Sequence, residues 1–142
     1  MLTKPSNQSF SKSIGKLAKY VKKAYHFKVE ISPKAWTDEI YFYPQKIVLA
    51  AFRNKELQLY SLLHEIGHLL LSRQAGYTML YPRVNNVNGR GQAYNIECVR
   101  EESRAWEIGY MTAKRKNIKV RDKQYWKYAN CSLCTYIKDV KR

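Results

Sequence analysis

The spacing of apolar and polar residues changes along the chain and divides it into helical and extended segments. Residues 9–26 repeat apolar positions at helical spacing with lysines on the opposite side, and Ser9 or Ser11 can cap the start of this amphipathic helix. Three short runs rich in β-favouring residues follow, at 28–31, 40–43 and 46–50. Because only Pro44 and Gln45 lie between the last two runs, these predict a hairpin, and the three runs together predict a small sheet.

The helical period returns after the last strand and persists through most of the remaining sequence. Residues 57–71 carry apolar side chains at helical spacing, Asn54 is a suitable N-cap, and Gly76 stands where this helix could stop. The segment 77–93 is rich in Pro, Asn and Gly and predicts a long loop. Two further helical patterns follow, at 94–116 and 121–136. The order of elements predicts a single α+β domain over residues 1–142.

The run HEIGH at residues 64–68 lies within the apolar helix and carries the strongest chemical signal in the sequence. His64 and His68 are four residues apart, so both imidazoles leave one face of the helix about one turn apart and can bind one metal ion. Glu65 lies at the flank, where its carboxylate can reach a metal-bound water without ligating the metal. The alternative is a polar stripe satisfied by neighbours, but burying unpartnered polar groups costs roughly 2–7 kcal/mol each. A metal ion removes that cost, and Gly67 indicates close packing of this helix on the sheet.

A zinc site with an open position for water needs a third protein ligand. The remaining histidine, His26, precedes the motif at the end of another helix, so the candidates downstream are carboxylates and thiols. They are Glu97, Glu101, Glu102, Glu107, Asp122, Asp139, Cys98, Cys131 and Cys134. A glutamate from the helix at 94–116, packed across the first helix, would complete a site of two histidines and one glutamate. Cys131 and Cys134 lack the partners of a second zinc site and the setting of a redox pair, which indicates ordinary thiols.

The HEIGH motif, followed by Glu102-Ser-Arg-Ala105-Trp106, resembles the ImmA/IrrE-like minimal zinc metallopeptidases of bacteria and their phages, a gluzincin-type group of zincins. The resemblance covers roughly residues 40–115. Where commoner members continue with Phe-Ala and a Leu-Met-Pro ending, this chain has Trp106-Glu-Ile-Gly, which is similar to the phage or mobile-element variety.

The resemblance implies a minimal zincin-like fold, in which the small sheet packs against the HEIGH helix and a second helix carries the glutamate ligand. It implies one Zn²⁺ per chain, because a glutamate three residues before a small alanine is the third ligand of the group. That position falls on Glu102, with Glu101 as the fallback since the two are adjacent. The implied activity is hydrolysis of a peptide bond in a specific protein substrate, with Glu65 as the general base that assists a zinc-bound water.

The developing oxyanion of such a reaction is stabilised by the metal and usually by one further donor. Three tyrosines lie close in sequence to the predicted site and are candidates for that donor: Tyr81, Tyr94 and Tyr110. Because the chain has 12 tyrosines, a packing role is the commoner expectation for each of them.

Basic residues outnumber acidic residues by 26 to 11, which gives a formal net charge of +15. The helix at 9–26 is lined with lysines, and a basic helical segment is predicted over 111–142, with Tyr125 and Trp126 interleaved so that they could stack on bases. The candidate contacts to nucleic acid are Lys114, Arg115, Lys116, Lys119, Arg121, Lys123 and Lys127. The pattern predicts either a solvated lysine face or binding of DNA, RNA or an acidic protein. The alternative to a peptidase is therefore a basic nucleic-acid- or host-protein-binding module on a zincin scaffold, with little or no proteolysis.

Composition favours a small globular enzyme, since 45% of the residues are hydrophobic and 13% are aromatic. The first ten residues contain no apolar signal-peptide core, and no apolar run approaches the ~18 residues that span a bilayer. Three cysteines, an odd number, indicate reduced thiols rather than a disulfide framework. We therefore expect a cytoplasmic location, in a bacterial cell or a phage-infected host, no membrane contact and, by default, a monomer.

Overall fold

Helices and strands follow one another in the order that the sequence predicts. The computed structural model describes residues 6–74 and 92–140, with the backbone alone for 92–94 and 138–140. The elements are α1 (Asn7–Tyr25), β1 (Lys28–Ser32), β2 (Glu39–Phe42), β3 (Gln45–Ala50), α2 (Lys55–Ser72), α3 (Gln92–Arg115) and α4 (Asp122–Val140). The predicted α+β fold with a small three-stranded sheet is confirmed. Gly76, the segment 77–91 and Tyr81 lie outside the described residues.

The sheet is mixed and has the strand order β1-β3-β2. Strand β3 lies in the centre because it is the most apolar of the three, and its Ile47 and Leu49 are fully buried. It runs parallel to β1, with Val29 opposite Ile47, and antiparallel to β2, with Ile40 opposite Ile47. The predicted hairpin between the last two strands is therefore present, and β2 forms one edge of the sheet.

Helix α1 packs its apolar face into the core and begins earlier than the sequence predicts. Ser6 is the N-cap, rather than Ser9 or Ser11, because its side chain accepts a hydrogen bond from the Ser9 amide at 3.2 Å and so places Ser9 inside the first turn. The helix ends before His26, whose φ of 62° is in the left-handed region that closes many helices. Its buried residues are Phe10, Ile14, Leu17 and Val21.

Helices α2 and α3 pack antiparallel at very short range. A Cβ atom added to Gly67 would overlap the backbone of Ala105, and one added to Gly109 would overlap the backbone of Leu63. Two glycines, one on each helix, therefore allow this approach. The prediction that Gly67 packs against the sheet was wrong, since its neighbour is α3.

The basic segment predicted as helical over 111–142 is divided into two helices. Helix α3 ends at Arg115, Asn117 has a left-handed φ of 55°, and the Ile118 amide donates to the Ala113 carbonyl at 2.8 Å. This hydrogen bond from a residue beyond the helix end to the last turn, with a left-handed residue before it, is a Schellman-type helix end. Helix α4 then returns across α3, which brings its side chains back to the HEIGH helix.

Hydrogen bonds among Glu56, the buried Tyr60 and Arg121 join the start of α4 to the start of α2. The Arg121 guanidinium donates to both carboxylate oxygens of Glu56, at 2.6 and 2.5 Å. The Tyr60 hydroxyl donates to Glu56 at 2.6 Å and accepts from the Arg121 amide at 3.0 Å. Tyr60, Trp106 and Tyr125 are all buried, and the Tyr125 ring packs edge to face on the rings of both Tyr60 and Trp106. None of the helices that the structure describes is long and apolar enough to cross a membrane.

Candidate metal centre

His64, His68 and Glu102 meet between α2 and α3. The two histidines leave the same face of α2, one turn apart, and Glu102 approaches from the antiparallel helix. Its Oε2 lies 2.7 Å from Nε2 of His64, its Oε1 lies 3.3 Å from Nε2 of His68, and the two Nε2 atoms are 3.1 Å apart. Among the described residues, this is the cluster of His, Cys, Asp or Glu side chains that is close enough to hold a metal ion.

The donor set fits zinc in both chemistry and spacing. Zinc is bound in proteins by imidazole nitrogen and carboxylate oxygen at about 2.0–2.2 Å, and a tetrahedron with such bonds has edges of about 3.3 Å. The two imidazole nitrogens are 3.1 Å apart and lie 2.7 and 3.3 Å from one or the other oxygen of Glu102, which is equal to such an edge or somewhat shorter. Three protein ligands leave a fourth position for water, as in catalytic zinc sites.

The structure brings Glu102, not Glu101, to the two histidines. Adjacent residues on a helix point about 100° apart, so only one glutamate of the pair can face the cluster. Glu101 is also buried and lines the same cavity, but it does not belong to the cluster. Of the other candidates, Glu97 pairs with Arg100 at 3.1 Å.

The remaining candidate ligands that the structure describes do not belong to the cluster. Asp122 lies 3.5 Å from Lys114, and Glu107 is exposed. Cys98 is buried, whereas Cys131 and Cys134 are exposed, and none of the three is part of a disulfide. The side chain of Asp139 lies outside the described residues.

Trp106 holds the first histidine in place. It lies one turn after Glu102 on α3, and its ring stacks on the His64 imidazole with 4.2 Å between centroids and 7° between planes. Because Trp106 is only 2% exposed and packs edge to face on Tyr125 and Tyr128, the imidazole lies against a fixed surface. This direct contact between Trp106 and His64 depends on the packing of α3 on α2.

Burial and charge shift the pKa of every ionisable group in the cluster. Desolvation raises the pKa of Glu102, but the hydrogen bonds from His64 and His68 more than offset it and hold the pKa far below its usual range. Desolvation lowers the pKa of His64. For His68, desolvation is outweighed by the hydrogen bond and charge of Glu102, which raise its pKa to about 9. The cluster therefore contains an ionised carboxylate that attracts a cation.

Glu65 lies beside the cluster and is almost fully buried. Its Oε1 is 3.6 Å from Nδ1 of His64, on the other side of that ring from Glu102. Desolvation raises the pKa of Glu65 to about 8. A carboxyl group in this setting can accept and release a proton near neutral pH, which is what a general base requires.

The cluster opens into a cavity of about 740 Å³. One wall comes from β2 and the loop before it, and the opposite wall comes from α4. In the loop before β2, the Asp38 carboxylate accepts a hydrogen bond from the Ala50 amide at 2.8 Å and forms a salt bridge with Arg53 at 2.6 Å. The sequence reading did not include Asp38 or Arg53 in the site. Neither residue lies at a recognisable spacing from the HEIGH motif in the sequence. Both reach the site because the tertiary fold brings the loop before β2 close to α2.

Tyr136 and Tyr128 are the described tyrosines that line the cavity, and Tyr128 also contacts α2. Its hydroxyl lies 3.0 Å from Oγ of Ser61, and burial raises its pKa, so that it remains a neutral donor. Tyr110, a candidate oxyanion donor from the sequence, instead packs on Tyr125 and Trp126 and does not line the cavity. The side chain of Tyr94 and all of Tyr81 lie outside the described residues. The sequence did contain a pattern that could have indicated Tyr128: the helical repeat of α4 places Tyr128, Ser132 and Thr135 on one face, and all three line the cavity.

The basic residues proposed as nucleic-acid contacts differ in exposure and in whether an acidic side chain already pairs with them. Arg121 is held by Glu56, and Lys114 lies 3.5 Å from Asp122. The remaining predicted contacts, all exposed except the half-buried Lys116, are Arg115, Lys116, Lys119, Lys123 and Lys127. Tyr125 is buried and is therefore not open to bases, whereas Trp126, which packs against it, is half-buried, and base stacking by Trp126 stays a prediction.

Comparison of the chain with models of known protein families, with curated proteins and with solved structures gives no match. The resemblance to ImmA/IrrE-like peptidases therefore rests on the HEIGH motif and on Glu102 and Ala105, and it stays a prediction.

Proposed function

We propose that the protein is a zinc-dependent metallopeptidase that hydrolyses a peptide bond in a specific protein substrate. The observation that supports it most directly is the convergence of His64, His68 and Glu102 beside the buried Glu65, in a cavity of about 740 Å³. Buried polar clusters of this kind are expensive to maintain without a bound partner. We further propose one Zn²⁺ per chain and a cytoplasmic setting in a bacterial or phage-infected cell.

His64, His68 and Glu102 would hold the metal, and Trp106 would fix the orientation of His64 through the stacked rings. Zinc bound at such a site acts as a Lewis acid and lowers the pKa of a bound water towards 7. Glu65 would accept the proton of the attacking water and deliver it to the leaving amine, since its carboxylate flanks the ligands without belonging to them.

Tyr128 would donate a hydrogen bond to the oxyanion that develops on the scissile carbonyl. Its hydroxyl is fixed by Ser61, which lies one turn before His64 on α2, and the Tyr128 ring packs on Trp106. It thus faces the cavity from α4, opposite the β2 wall. A positioned neutral hydroxyl in a partly buried setting is the kind of donor that such reactions use.

The edge strand beside the cavity favours an extended peptide over a compact small molecule as the substrate. Strand β2 is an edge strand, and its Glu39, Ile40 and Phe42 line the cavity. The unpaired backbone of an edge strand can bind an extended peptide as a further strand, which would lay a substrate across the site. This supports a protein substrate.

The experiment is digestion of a library of proteome-derived peptides by the zinc-loaded protein, with new termini identified by mass spectrometry. We expect cleavage that a chelator removes and Zn²⁺ restores. The Glu65→Gln variant is expected to bind one zinc and to cleave nothing, because it keeps the ligands and loses the base. Cleavage by this variant at the wild-type rate, or no cleavage by a wild-type protein that carries one zinc, would contradict the proposal.

A further inference from the structure

Two groups of basic residues from distant parts of the sequence form one surface. Lys16 of α1 donates to the Lys116 carbonyl at 2.5 Å, although the two residues are 100 positions apart. The Lys116 ammonium in turn lies 3.8 Å from the centre of the Tyr20 ring. The end of α3 therefore rests against the side of α1. We define the basic face as Lys12, Lys16, Lys19, Lys23, Arg115 and Lys116.

The lysines of α1 form a stripe along the helix, and the repulsion between their like charges destabilises that helix. Lys12, Lys16, Lys19 and Lys23 are three or four residues apart, so they are neighbours on the outward side of the helix. No acidic residue occurs before Glu30, and none of the four lysines forms an ion pair within the described part of the chain. Like charges at this spacing destabilise a helix. Such a stripe suits a polyanionic partner that would neutralise it.

The kind of partner follows from what the basic face lacks. The large apolar residues of α1, Phe10, Ile14, Leu17 and Val21, are buried in the core, so the helix has no apolar side to insert into a membrane. Among the described residues, the exposed large hydrophobics do not occur along the lysine stripe of α1, and Met111, one turn before Arg115 on α3, is the one that adjoins the basic face. Protein partners are usually bound through such apolar or aromatic anchors. A row of lysines without anchors fits phosphates, which need charge but no pocket.

We propose that the basic face binds the phosphate backbone of nucleic acid without reading its base sequence. Phosphate contacts fix a protein on a nucleic acid but carry no sequence information, and the half-buried Tyr20 lies beneath Lys116 rather than open to bases. This activity is separate from the proposed peptidase, because the basic face contains no residue of the metal centre.

The test compares two variants of equal net charge by fluorescence anisotropy, with a labelled DNA duplex of arbitrary sequence and a chelator present. The first variant removes three exposed lysines from the stripe: Lys12→Gln, Lys19→Gln and Lys23→Gln. The control removes three exposed cations from other segments: Lys34→Gln, Arg100→Gln and Arg104→Gln. Thermal unfolding is followed for both, and Arg115→Gln examines the α3 part of the face without any change in α1.

We expect the stripe variant to lose affinity for the duplex by at least about tenfold at 50 mM salt. The slope of log K against log salt should decrease by about 3, since each lost phosphate contact removes about 0.9. Arg115→Gln should decrease the slope by about 1, and the control should stay within about threefold of wild type. Equal losses in the stripe variant and the control would overturn the proposal. So would a wild-type protein that does not bind the duplex, or that binds polyglutamate or phosphatidylserine vesicles more tightly than DNA.

Discussion

Replacing Gly67 with alanine tests the close approach of α2 and α3 that brings the metal ligands together. The added Cβ would overlap the Ala105 carbonyl oxygen and would lie 2.7 Å from its carbon and 2.9 Å from the Ala105 Cα. Carbon atoms in contact are normally about 3.5–4.0 Å apart. Because the obstructing atoms are backbone, relief requires the two helices to separate by about 1 Å.

The expected change in the free energy of unfolding follows from two opposing terms. Overpacking against backbone costs about 3 kcal/mol, near the upper end of the usual range. Alanine recovers about 1 kcal/mol because it favours the helix more than glycine does. We therefore expect Gly67→Ala to lower the stability of the metal-free protein by about 2 kcal/mol.

Gly15 provides the matched control, since it also lies inside a helix but a Cβ there would meet nothing within 4 Å. Gly15→Ala should raise the stability by about 0.5–1 kcal/mol. Urea unfolding of both variants in the presence of a chelator gives the two values. The reasoning fails if Gly67→Ala is as stable as wild type, because the helices would then be farther apart than the 2.7 Å contact between Glu102 and His64 allows.

Two further substitutions follow from single hydrogen-bonding groups. Tyr128→Phe should lower kcat by about 10²–10³-fold on any peptide that the wild-type protein cleaves, because the oxyanion donor is lost. The zinc content should stay the same. An unchanged kcat would show that Tyr128 takes no part in the mechanism. Tyr60→Phe should cost about 1–2 kcal/mol in urea unfolding, because the hydroxyl bonds both Glu56 and the Arg121 amide. The exposed Tyr43→Phe should leave stability unchanged, and equal effects at both positions would refute the buried network.

Features carried by local spacing could be predicted from the sequence. The position of α2, its Asn54 cap and the shared face of His64 and His68 depend on the helical repeat alone, and the structure agrees. The three strands and the hairpin were likewise predicted from β-favouring runs between turn residues.

Features that depend on how elements pack could not be predicted in the same way. The resemblance favoured Glu102 and kept the adjacent Glu101 as the fallback, and the packing of α3 on α2 decides which of them faces the histidines. Tyr128 reaches the cavity because α3 ends near Asn117 and α4 returns across it. The helical patterns predicted the two helices and the break between them, but not the direction of this return. The contact between Lys16 and Lys116 likewise depends on how the end of α3 packs against α1.

Zinc stoichiometry is the most direct test of the metal centre. The protein is stripped with a chelator, dialysed and titrated with Zn²⁺, and bound zinc and Tm are measured for the wild type and for Glu102→Gln and Glu101→Gln. We expect one zinc per chain and a raised Tm for the wild type, the same for Glu101→Gln, and a large loss of zinc affinity for Glu102→Gln, because that variant loses a ligand. A wild-type protein that binds no zinc and whose Tm does not respond to it would contradict the account, and so would a Glu102→Gln variant that binds zinc as tightly as wild type.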